Sequence, residues 1–67
     1  MKLIINGEIT LHPNESLTLE NLLNSLDFNQ KPVVIELNQQ ALHASSTRNI
    51  TLKEGDQIEI IQITAGG

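Results

Sequence analysis

The sequence contains no cysteine and a single aromatic residue, Phe28. The first absence excludes disulfides, a thiolate-ligated zinc site and any chemistry on a side-chain thiol. The second combines with a shortage of positive charge: there are four Lys+Arg, and no window gathers them. Neither the aromatic platforms nor the basic stripe of a nucleic-acid binder is present. Apolar runs reach three residues at most, far below the roughly 20 that a membrane-spanning helix needs. The N-terminus also lacks the charged and apolar regions of a signal peptide. A cytoplasmic protein is expected, with neither nucleic acid nor a membrane as partner.

What remains is small, aliphatic and acidic. At 67 residues, a single domain over 1–67 is expected, and a chain of this size buries only about 60% of its unfolded surface. Hydrophobic residues make up 39% of the chain, enough for one thin core but a poor basis for an enclosed catalytic pocket. Function at a surface or a terminus is therefore favoured over enzymatic activity. The formal net charge of −4 suits a partner with a basic face.

Hydrophobic alternation organises the first part of the chain. Met1, Leu3 and Ile5 share one face of a strand, with Lys2, Ile4 and Asn6 on the other. Asn6-Gly7 tolerates the positive φ of a two-residue type I′ turn, so Glu8 to His12 is expected to return antiparallel, with Ile9 and Leu11 inward. Pro13, which cannot donate to a ladder, ends that strand with Asn14. Leu19, Leu22, Leu23 and Leu26 then recur at helical spacing, opposite Glu20, Asn21, Asn24 and Ser25. Thr18 is placed to cap this helix and Leu17 to staple onto Leu22. The helix is expected to end near Asp27 or Phe28, ahead of Pro32.

Val33, Ile35 and Leu37 face one side of the next strand, and Val34, Glu36 and Asn38 the other. A turn at Asn38-Gln39 or Gln39-Gln40 leads to a short strand within Gln40 to His43. Ala44 to Asn49 reads as a surface connection, after which Ile50 and Leu52 return to the core. Gly55 supplies a positive φ between Glu54 and Asp56. The last strand, Gln57 to Thr64, turns Ile58 and Ile60 inward and Glu59, Ile61 and Ile63 outward. One helix cannot cover both faces of a sheet, so the element order implies a two-layer α+β fold.

No side-chain constellation suggests catalysis. His12 and His43 lack neighbours that would complete a ligand set, so they are read as surface histidines and no metal site is expected. Glu54 and Asp56 fit a solvated turn better than paired acid and base, and Ser45-Ser46-Thr47 has no partner base. The outward aliphatics are a different matter. Ile4, Val34, Ile61 and Ile63 are expected to form an apolar patch on the face away from the helix, and such a patch on a small protein marks a docking site.

The run Leu52-Lys53-Glu54-Gly55-Asp56-Gln57-Ile58-Glu59-Ile60-Ile61, leading to Ala65-Gly66-Gly67, resembles the ubiquitin-like β-grasp sulfur carriers, most closely those of thiamine biosynthesis. The likeness extends through Asn6-Gly7, the Leu-rich helix after Thr18, and Val34-Ile35-Glu36-Leu37-Asn38-Gln39. One departure is His43 to Thr47, which lacks the proline and basic residue that many relatives show there.

The resemblance implies a β-grasp fold: a mixed four- to five-stranded sheet packed on one helix, with the first and last strands parallel at its centre. It implies that Gly67 is adenylated by an E1-like adenylyltransferase, which uses ATP while the carrier binds no cofactor. The adenylate would become a thiocarboxylate, fed by a sulfur donor such as a cysteine desulfurase or a rhodanese-like protein, and would serve thiazole synthase. Ala65, Gly66 and Gly67 would enter the partners' active sites on a flexible tail over 64–67, and the free carrier would be a monomer. The small subunit of molybdopterin synthase, a ubiquitin-like modifier and a plain β-grasp interaction module are the alternatives.

Overall fold

The computed structural model describes residues 1–13, 16–28, 32–42 and 50–63. The elements run β1 (Lys2–Ile5), β2 (Glu8–Leu11), α1 (Leu19–Ser25), β3 (Val33–Leu37), β4 (Gln40–Leu42) and β5 (Gln57–Gln62). The five strands form one mixed sheet in the order β2-β1-β5-β3-β4. β1 and β5 are parallel neighbours, and every other pairing is antiparallel. This is a ubiquitin-like β-grasp, with the last strand at the sheet's centre.

The helix begins where its side chains say it should. The Thr18 hydroxyl accepts from the Asn21 N–H at 3.1 Å, and the Leu17 carbonyl accepts from the Leu52 N–H at 2.8 Å. Leu19, Leu22 and Leu23 pack onto Leu3, Ile35, Ile58 and Ile60 from three strands, with Leu17 and Leu52 closing the core. Burying a side chain such as Leu19 or Leu22 contributes roughly 1.5–3 kcal/mol.

The helix stops slightly earlier than expected, with Leu26 as its C-cap. Asp27 takes φ 66, its N–H donates to the Asn24 carbonyl at 3.2 Å, and that of Phe28 donates to the Leu23 carbonyl at 2.9 Å. Those two bonds make a Schellman ending with an aspartate in the position usually taken by glycine. Leu26 accordingly leaves the buried stripe and is 38% exposed.

A second correction concerns β2, where Ile9 and Leu11 face outward, 67% and 79% exposed. The cause is the turn itself. Two residues between strands pair Ile5 with Glu8, Ile4 with Ile9 and Lys2 with Leu11, and directly opposed residues share a face. Once Leu3 points at the helix, its partner Thr10 shares the inner face and Ile9 is committed to the outer one.

Both hairpins grip β5 with an asparagine. Asn6 and Asn38 each open a two-residue turn at φ 50, followed by Gly7 at φ 82 and Gln39 at φ 72. The Asn6 Oδ1 accepts from the Ile60 N–H at 2.7 Å, and the Asn38 Oδ1 accepts from the Gln57 N–H at 3.0 Å. The central strand is thus held on one side by the β1–β2 turn and on the other by the β3–β4 turn. Ala44 to Asn49, His43, Thr64 and the expected flexible tail over 64–67 lie outside the described residues.

Candidate functional site

The candidate site is the outer sheet face together with the end of β5. On that face, Val34 and Ile61 are direct cross-strand partners, 37% and 52% exposed. Ile63, 48% exposed, lies just past the strand and donates its N–H to the Pro32 carbonyl at 2.9 Å. β1 pairs with β5 at Ile4–Gln57 and Ile5–Ile58, so beyond Ile60 the strand is flanked by β3. The expected modified residue Gly67, with Ala65 and Gly66, lies outside the described residues.

Ile4 belongs to a different part of the face. It is level with Gln57, four residues before Ile61 on β5, a separation of about 13 Å along the strand. Its apolar neighbour is Ile9, directly opposite on β2. The four expected docking residues thus divide into Val34, Ile61 and Ile63 near the end of β5, and Ile4 beside β2. Between the two groups stand Glu36 and Glu59, which are also direct partners. Ile9 and Leu11 join the Ile4 group. Counting back across the two-residue turn would have revealed them, because the face follows from parity rather than from hydrophobicity.

The other candidates settle into the scaffold. The Glu54 Oε1 accepts from the Lys2 N–H at 3.0 Å, while Asp56 accepts from the Lys53 N–H at 2.7 Å and from the Asn38 side-chain amide at 3.0 Å. Both carboxylates hold the turn that carries Gly55 at φ 83. The His12 Nε2 is 2.8 Å from the Thr10 hydroxyl, and its carbonyl accepts from the amino terminus. Among the described residues, no three His, Cys, Asp or Glu side chains are grouped to hold a metal ion. Also among them, no helix is long and apolar enough to cross a membrane.

A sheet with one lidded face, and with its last strand central, defines the ubiquitin-like β-grasp class. Within it, the chain belongs to the ThiS family, whose sequence model matches residues 3–67. It is similar to the crystal structure of the thiamine biosynthesis protein ThiS from Geobacter metallireducens, with a TM-score of 0.83 and 35% identity over the whole of both chains. It is 36% identical over 67 residues to a thiazole synthase of Paramagnetospirillum magneticum, and spans 20% of that protein's length. It is also 40% identical over 63 residues to the ycf40 protein of Porphyra purpurea, covering 94% of this chain and 87% of that one.

Proposed function

We propose that this chain is a protein-borne sulfur carrier of thiamine biosynthesis, a substrate of partner enzymes rather than an enzyme. The observation that carries this reading is the span of the family match, which runs through residue 67 and so includes Ala65-Gly66-Gly67. The solved relative from Geobacter, a thiamine biosynthesis protein, favours this pathway over molybdopterin synthesis.

The chemistry follows from the groups available. With no cysteine, sulfur has no side-chain thiol to occupy, and the proposal takes Gly67 as the terminal residue of the carrier and its carboxylate as the reactive group. A carboxylate is a poor electrophile. An E1-like adenylyltransferase joins it to AMP with loss of pyrophosphate. The persulfide of a donor protein then displaces AMP to give an acyl disulfide, and a thiol reduces that bond, releasing the thiocarboxylate and leaving the donor sulfur in a disulfide with the thiol. Thiazole synthase then takes that sulfur, a partner suggested by the relative in which a segment like this chain forms part of such an enzyme.

The domain presents and the tail reaches. Residues 64–67, fully extended, span about 13 Å, and a Cβ on Gly66 or Gly67 would widen them in a narrow channel. Val34, Ile61 and Ile63 stand beside the start of that segment and form the docking surface for the activating enzyme.

The test is adenylation by the E1-like enzyme of the same organism. The full chain gives a Gly67 adenylate when enzyme and ATP are both present, and the chain alone gives none. Deleting Gly67, or adding one residue beyond it, abolishes the product while the thermal midpoint of the carrier stays in place. An isopeptide bond from Gly67 to a lysine would identify a ubiquitin-like modifier instead.

A further inference from the structure

The outer sheet face keeps two carboxylates between its two apolar groups. Glu36 and Glu59 are Cα partners on β3 and β5, so their side chains leave the sheet next to one another, with Cβ atoms about 5 Å apart. Like charges so placed destabilise a sheet. Neither carboxylate has a hydrogen-bond or ion-pair partner within the fold as described. Lys2, the cation on the outer face of β1, is opposite Leu11 and four residue steps from the level of Glu59, about 13 Å along the strand. Lys53 precedes the turn before β5. Among the described residues the repulsion is therefore left without a compensating cation beside it, at the centre of a face whose flanks are apolar.

We infer that this face docks a protein surface bearing an arginine, whose guanidinium lies across Glu36 and Glu59 while apolar side chains of the partner cover Val34, Ile61 and Ile63 on one flank and Ile4 and Ile9 on the other. A planar guanidinium donates in two directions at once and loses hydration more readily than an ammonium, so it can meet two adjacent carboxylates in a closing interface. The net charge of −4 favours the same sign of partner at longer range. The occupant is thiazole synthase, and here the inference rests on the carrier reading. In the relative from Paramagnetospirillum magneticum a segment similar to the whole of this chain is tethered within thiazole synthase, where linkage makes weak docking effective. Activating enzyme and thiazole synthase both need the same tail, so they use the face in turn.

The test is calorimetric titration of the full carrier with thiazole synthase of the same organism, for the wild type, Glu36→Gln, Glu59→Gln and the double variant. Each single change weakens binding about thirtyfold, as expected for a desolvated charge pair that loses one partner. The thermal midpoint of the free carrier meanwhile holds or rises, because a repulsion has been removed. Added salt weakens the wild type more than the double variant. Binding of the double variant at wild-type strength overturns the inference, as does a wild type that fails to bind. Weakened binding with a lowered midpoint overturns it too, by making the glutamates structural. Thiocarboxylate formation on the wild type, followed separately, reports on the carrier reading: if it forms while the glutamine variants bind unchanged, the carrier stands and the arginine site falls.

Discussion

The two faces of the sheet carry the same kinds of side chain and treat them in opposite ways. Leu3, Ile35, Ile58 and Ile60 are at most 6% exposed, whereas Ile9, Leu11, Val34 and Ile61 on the other face are at least 37% exposed. Composition does not separate the two sets. What separates them is α1, the one helix among the described residues, whose seven residues cover one face and leave none for the other. Aliphatic content in a domain this small is therefore divided between side chains that hold the fold and side chains left exposed on the open face, and strand parity decides which residue is which.

Substitutions on the two faces should break that comparison in different currencies. The largest effect is expected from the lidded side. Leu22→Ala removes a fully buried side chain and should cost about 3 kcal/mol in urea unfolding, a large share of what a domain this size holds. On the open side, Val34→Asp or Ile61→Asp should cost less than about 1 kcal/mol of stability while weakening binding to the activating enzyme by about 2 kcal/mol or more. Both variants folding and binding as the wild type does would remove the docking role from this face. The smallest effect is expected at Leu11, where Leu11→Ser should leave unfolding within about 0.5 kcal/mol of wild type despite exchanging leucine for a polar residue. A loss comparable to that of Leu22→Ala would mean that β2 presents its other side to the core.

Much of this division was legible in the residues. Alternation placed Leu3, Ile35, Ile58 and Ile60 inward and Val34 and Ile61 outward, and Thr18 marked the start of the helix. The inward assignment of Ile9 and Leu11 failed because it followed hydrophobicity across a turn whose length dictates the opposite parity. Leu26 fitted the helical spacing but fell on the C-cap, since the chain reverses at Asp27 before Pro32 can act. The parallel pairing of β1 with β5 came from the family resemblance, because periodicity within a strand says nothing of its neighbours. For the same reason the adjacency of Val34 with Ile61, of Ile4 with Ile9 and of Glu36 with Glu59 emerged only with the sheet register. The asparagine clamps on β5 were half visible: Asn6 and Asn38 announced turns, but their side chains accept from a strand more than fifteen residues away.

The central claim is that this chain carries sulfur on the carboxylate of Gly67. It is tested most directly by mass spectrometry of the terminal peptide after incubation with the E1-like enzyme, ATP, a sulfur-donor protein of the same organism and a thiol reductant. The account predicts one oxygen exchanged for sulfur, located on Gly67 and lost again when thiazole synthase and its substrates are added. A terminal peptide that keeps both oxygens under those conditions, with no adenylate detected on the way, would contradict it and leave a β-grasp interaction module whose tail is inert.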